Sequence, residues 1–272
     1  MSSVSKSYNF FYFLILLLAG GTSARERKAD GVFTASSDPP AVSLEPHLEM
    51  AYNEKYPKKV FFFCQTAPLP GEGGETPVVD MRDFHLALPP EMVAKFRAVG
   101  VRYTRRLPSA TVSPRQIYNW QKLFFADSKQ EVEKRCEELG YDFTWADDDS
   151  LSWSYIRPAF VKHTHDGEEC WFNQATCLHH TYYNDYPGGA VDRPGEPVLQ
   201  GSSQPHDTSY GDGTPFTEKE LQFMRARLWE RANAVTWSNG DLLVMDNTRV
   251  AHGRMSYSEN SKRSILVSLV QE

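Results

Sequence analysis

The sequence predicts a mainly β protein with inserted helices, arranged as a sheet sandwich or jelly roll. Three observations predict it. Apolar runs of strand length stand early and at the end of the chain: KVFFFC at 59–64, DLLVMDN at 241–247 and RSILVSLV at 263–270. The helical patterns fall between these runs and do not alternate with strands as βαβ units do. The composition, 40% hydrophobic and 13% aromatic with 24% charged residues, supplies a substantial core.

Taken in order, SSDPPAVSLEP (36–46) is a proline-rich lead-in, and KVFFFC is a buried strand. APLPGEGGETP (67–77) is a glycine–proline loop, and VVD continues it as extended chain. LPPEMVAKFRAVG (88–100) opens on prolines and closes on glycine, which marks a short helix, and GVRYTRRL (100–107) returns as a strand. SKQEVEKRCEELG (128–140) pairs Ser128 with Glu131 as a capping box, with Val132, Cys136 and Leu139 on one stripe. Extended segments around an acidic turn are expected over 142–163, a strand at CWFNQA (170–175) and a loop at 183–197. A helix over 217–235 has a second capping box, Thr217 with Glu220, and an apolar stripe of Leu221, Met224, Leu228 and Ala232.

The net charge of −6 gives no reason to expect a nucleic-acid partner. Cys64, Cys136, Cys170 and Cys177 lack CxxC spacing, which argues against a structural zinc site; free thiols are the expectation, with one or two disulfides as the alternative. Residues 1–24 have a lysine-bearing start, the apolar run FFYFLILLLA and a small-residue end at Ala24, the layout of a signal peptide. If that segment is a true signal the protein enters the secretory pathway; otherwise it is cytoplasmic. No transmembrane span is expected after residue 24.

The chemistry begins at PHLEMAY. His47 and Glu49 are two apart, so in extended chain both side chains face one way. His252 in VAHGR supplies a third ligand type, and a hairpin turning near 257–259 would set Arg263 beside it. Two imidazoles and a carboxylate leave open positions on a metal, which suits non-haem Fe(II). Arg263 could grip a carboxylate of a dicarboxylate co-substrate with its planar fork. Arg254, two beyond His252, would share that histidine's face and is a second candidate for the same carboxylate.

Here the sequence resembles a family. From about Gly20 to Glu272, GGTSARERKADGVFTASSDPP, PHLEMAYNEKYPKKVFFFC, GGETPVVD, GVRYTRRL, GEECWFNQATCLHH, YGDGTPF, WSNGDLLVMDNTRVAHGR and RSILVSLV occur in the order seen in the TauD/TfdA family of Fe(II)- and 2-oxoglutarate-dependent dioxygenases. The clavaminate-synthase-like branch is the nearer match. The resemblance implies a double-stranded β-helix with iron held by His47, Glu49 and His252. It implies 2-oxoglutarate held at its distal carboxylate by Arg263 with Thr76 assisting, and oxidation of an aliphatic carbon of a small amino-acid-like or organic-acid substrate by dioxygen, with release of succinate and carbon dioxide. The resemblance thus makes the chain an oxidoreductase, with residues 25–272 as its domain. Most of the wider family has aspartate where Glu49 stands; this branch tolerates glutamate. Relatives also carry several dozen residues ahead of the part matching GGTSAR, and the alternative reading is a non-catalytic binder of iron and 2-oxoglutarate. Asn173 and Gln174 are candidate substrate contacts; on a strand they face opposite ways, so at most one lines the pocket. His163, His165, His179 and His180 form a rival constellation, a zinc site if their segments make a hairpin.

Overall fold

The computed structural model describes residues 25–36, 38–111, 119–182 and 206–271. The signal-like segment 1–24 and the loop expected at 183–197 lie outside them. Two antiparallel sheets form the sandwich. The first has the order β1 (Arg27–Ala29), β2 (Val32–Thr34), β15 (Ser264–Val270), β4 (Lys59–Thr66) and β13 (Leu242–Asp246). The second runs β12 (Asn233–Val235), β5 (Thr76–Asp80), β14 (Val250–Arg254) and β3 (Leu44–His47). The strands alternate as a half-buried sheet requires: Val60, Phe62 and Cys64 of β4 point inward with Ile265, Val267 and Leu269 of β15, while Phe63 is exposed. Trp237 and Met50 complete this core.

A third sheet, β11 (His206–Tyr210), β6 (Val101–Leu107), β8 (Leu151–Arg157) and β7 (Asp142–Trp145), and a hairpin of β9 (Phe160–Lys162) with β10 (Glu169–Trp171) build a second core. Helices α1 (Pro90–Val99), α2 (Trp120–Phe124), α3 (Lys129–Glu138) and α4 (Glu218–Glu230) flank it. Phe96 packs on Trp171, Tyr210 and Phe216 with ring centroids 4.8, 4.9 and 5.5 Å away. Both halves of the Thr217–Glu220 capping box are formed, and Leu221, Met224 and Leu228 are buried. At α3 the Ser128 hydroxyl accepts from the Glu131 N–H, and the Glu131 carboxylate accepts from the Asp127 N–H. All four cysteines are free thiols. Among the described residues no helix is long and apolar enough to cross a membrane.

The structure corrects the sequence reading in four places. Strands β14 and β15 belong to different sheets, so the chain crosses the sandwich between His252 and Arg263 and makes no hairpin there. The helix from 217 stops at Glu230, because Asn233–Val235 pairs with β5, Val235 opposite Thr76. Leu139 is 53% exposed: it caps α3, past the last turn that faces the core. The strand at CWFNQA ends at Trp171, opposite Phe160; one further backbone bond, from the Phe172 N–H to the Ala159 carbonyl at 2.9 Å, is followed by the turn that Asn173 closes.

Candidate metal centre and co-substrate pocket

Pairing of β3 with β14 sets His47 directly opposite His252, although the two come from opposite ends of the domain. Their ring centroids are 4.7 Å apart. Between this pair and the next, two residues of β3, Glu45 and Pro46, oppose one of β14, Gly253; such a bulge re-aims side chains. Gly253 permits the close approach, since a Cβ there would lie 2.4 Å from the Leu44 carbonyl oxygen. β3 ends at His47, and Glu49 lies in the turn that follows. Met50, next along, holds a left-handed backbone (φ 56°) that a side chain rarely adopts. Asn247, fully buried, holds this turn: its Oδ1 accepts from the Glu49 N–H at 2.7 Å, and its Nδ2 donates to the carbonyls of Glu49 (2.8 Å) and Pro57 (2.7 Å).

The result is a three-residue group. One ligand atom each from His47, Glu49 and His252 lies within 4.8 Å of the others. His252 Nε2 stands 3.6 Å from Glu49 Oε2. His47 Nδ1 donates to the Glu45 carbonyl at 2.8 Å, leaving the Nε2 lone pair for coordination. Burial, with the neighbouring His252 imidazole, lowers His47 to about 4, so at neutral pH it is the uncharged imidazole that a metal needs. Burial alone would raise Glu49; the Arg25 guanidinium and the two imidazoles outweigh it and hold the carboxyl below the usual range. Two imidazole nitrogens and an ionised carboxylate fit a divalent cation with positions to spare.

Beside this group a cavity of about 240 Å³ runs between the two sheets, lined by Thr76, Arg254, Arg263 and Gln174 among others. Arg263 lies along the backbone of Gly74, donating from Nε to its carbonyl at 2.8 Å, with its guanidinium 5.2 Å from the Tyr257 ring centre. Gly74 (φ 85°) is required: a Cβ there would fall 2.6 Å from Arg263 Cδ. Burial lowers Arg263 to about 10, which leaves it charged at neutral pH. Thr76 is buried, and its Oγ1 accepts from Trp237 Nε1 at 3.0 Å, so its own hydroxyl hydrogen remains to be donated. Arg254 is engaged elsewhere. Its Nη1 donates to the Asp38 carbonyl (3.0 Å) and its Nη2 to those of Pro39 and Val42 (both 2.7 Å), strapping the proline-rich lead-in over the cavity.

Of the two candidate substrate contacts, Gln174 lines this cavity and donates from Nε2 to the Leu48 carbonyl. Asn173 does not line it; its amide donates to the Ala159 carbonyl and accepts from the Ala175 N–H, closing a local turn. The four histidines of the rival site separate into two sets. His163 bonds Asp166 and Asp246, whereas His179 and His180 gather at Asp207. His179, His180 and Asp207 do lie within ligand spacing. The Thr181 N–H, however, donates to His179 Nδ1, which puts the proton on Nε2, the nitrogen that faces Asp207.

Three site residues were missed from sequence. Asn247 had no signal beyond its place after an apolar run. Arg25, 12% exposed, reaches both Glu49 oxygens at 3.1 Å. Glu45, with no exposed surface, accepts from the Thr176 hydroxyl and pairs with Arg225 Nε at 3.4 Å, bracing β3 against α4.

Comparison with known proteins agrees with this geometry. The family model for taurine catabolism dioxygenase TauD, TfdA family, matches residues 16–269. The chain is 30% identical over 253 residues to the dapdiamide synthesis protein DdaC of Enterobacter agglomerans, covering 92% of this chain and 72% of that one. It is 28% identical over 272 residues to a clavaminate synthase-like protein of Arabidopsis thaliana, covering 95% of this chain and 74% of that one. A match across nearly the whole chain, on a sandwich whose facing sheets bring two histidines, a carboxylate and a half-buried arginine to one cavity, places the protein in the TauD/TfdA family, as an Fe(II)- and 2-oxoglutarate-dependent dioxygenase acting on a small-molecule substrate.

Proposed function

We propose that His47, Glu49 and His252 hold Fe(II), that Arg263 and Thr76 hold the distal carboxylate of 2-oxoglutarate, and that the reaction hydroxylates or desaturates an aliphatic carbon of a small amino-acid-like or organic-acid substrate. The observation that carries the assignment is the convergence of the three ligand atoms within 4.8 Å. Iron and 2-oxoglutarate together supply the oxidation of the substrate by dioxygen, with succinate and carbon dioxide as co-products.

The chain's own residues supply placement. The Glu45 carbonyl and Asn247 fix the directions of His47 and Glu49, and a ligand set oriented in this way does not have to reorganise when it binds. Arg263, held by Gly74 and Tyr257 just ahead of β15, lines the cavity, and Thr76 lines it from β5 in the facing sheet. A guanidinium and a hydroxyl match one carboxylate, and the surrounding Phe62 and Ile265 keep water from the charged end. Arg254 serves this pocket indirectly, by holding the Asp38–Val42 wall in place. Gln174 is the better candidate of the Asn173–Gln174 pair for a substrate contact.

Anaerobic titration of Fe(II)-loaded protein with 2-oxoglutarate, following the visible charge-transfer band of the chelate, tests iron, co-substrate and site together. We expect a saturable band and succinate release that collapses in His47→Ala and His252→Ala. Unchanged turnover in both variants removes the assignment.

A further inference from the structure

Arg25 is a basic residue pressed against a carboxylate that the metal needs. Its Nη2 stands 3.1 Å from Oε1 and 3.1 Å from Oε2 of Glu49, and only 12% of its side chain is exposed. Oε2 is the oxygen that faces His252, at 3.6 Å. Glu49 is also the longer carboxylate, with one more rotatable bond than aspartate would have, and Asn247 restrains its backbone but not its side chain. A free glutamate carboxylate can present both oxygens to one cation, and the second would take a position that the co-substrate or dioxygen requires. Among the described residues, Arg25 is the cation paired with Glu49.

We propose that Arg25 is a positioning residue: its Nη2, equidistant from the two Glu49 oxygens, fills the edge of the carboxylate where a chelating cation would sit, so that the metal is met by a single oxygen, Oε2 on the His252 side. The proposal rests on the assignment of His47, Glu49 and His252 as metal ligands. Its physical consequence has an unusual sign. A neutral partner that orients a metal ligand strengthens binding, and its loss weakens metal affinity by about 10- to 100-fold. Arg25 carries a charge of the same sign as the metal and competes with it for the same carboxylate. Removing it releases an oxygen and removes a repulsion, so the metal binds more tightly while the co-substrate loses its coordination position.

The test uses Co(II) as the probe metal, with affinity and coordination read from its visible absorption, followed by anaerobic titration of the Co(II)-loaded protein with 2-oxoglutarate. We expect Arg25→Gln to bind Co(II) about tenfold more tightly and 2-oxoglutarate about tenfold more weakly than wild type. Arg25→Lys, which keeps the charge but presents a point donor in place of the fork, falls between the two. Weaker Co(II) binding in Arg25→Gln, or an unchanged 2-oxoglutarate affinity, overturns the proposal, because either is what a residue acting only in folding would produce. His47→Ala serves as the control for the ligand assignment itself: Co(II) binding there at wild-type affinity refutes that assignment, whatever the Arg25 variants do.

Discussion

Arg254 and Arg263 both line the cavity, and one substitution separates their roles. In Arg254→Met the aliphatic stem is retained and the guanidinium is lost. Three carbonyls, of Asp38, Pro39 and Val42, then lose donors at 3.0, 2.7 and 2.7 Å. A hydrogen bond from a charged donor contributes about 1.5–3 kcal/mol, so three set an upper bound of about 5–9 kcal/mol. Offsetting this, the variant no longer buries a guanidinium, whose desolvation already lowers the Arg254 pKa. The carbonyls of an irregular segment also regain some water. A net loss of about 3 kcal/mol follows, which in a domain of this size lowers Tm by about 6–12 °C. Thermal and urea unfolding of the metal-free variant measure it, alongside the 2-oxoglutarate affinity of the Fe(II)-loaded protein. We expect a large fall in stability with 2-oxoglutarate affinity changed less than about threefold, since Arg263 is untouched. A variant as stable as wild type, binding 2-oxoglutarate tenfold more weakly, would refute the reasoning and return Arg254 to the co-substrate.

Arg263→Ala should do the reverse, raising KM for 2-oxoglutarate at least about tenfold with a smaller effect on Tm; Gly74→Ala should copy it, because the added Cβ meets Arg263 Cδ at 2.6 Å and displaces the guanidinium. Asn247→Leu leaves the Glu49 N–H and carbonyl buried without partners and should cost about 2–4 kcal/mol while weakening Co(II) binding about tenfold; full metal affinity in a folded variant would show that Asn247 does not set the ligand turn. Burial raises Glu45 to about 7 from its ordinary 4.5, so its favourable contribution to stability is complete below 4.5 and is lost as pH rises through 7. Relative to wild type, Glu45→Gln should therefore gain up to about 3 kcal/mol between pH 5 and pH 8 in chemical denaturation of the metal-free protein, and a pH-independent difference would contradict this.

Local chemistry made much of the molecule legible. The strand at KVFFFC is written in a continuous apolar run, and α1, α3 and α4 in their prolines, caps and stripes. The punctuation failed where pairing with a distant strand outweighed propensity: Asn233–Val235 left a helical pattern to join β5. Leu139 illustrates a narrower miss, a periodic apolar residue placed one position beyond the turn that faces the core.

By itself the sequence determined that His47 and Glu49 would be close, because two residues cannot separate far, and that APLPGEGGETP would be a glycine–proline loop leading into extended chain. It could not determine that β14 lies between β5 and β3 while β15 lies in the opposite sheet, since nothing local to a strand names its partners. That choice sets His252 opposite His47 and sends Arg263 across the sandwich to the far wall of the cavity. Arg25, Glu45 and Asn247 became visible only then: each acts through a contact distant along the chain, and charge and burial at such contacts exist only once the sheets have closed.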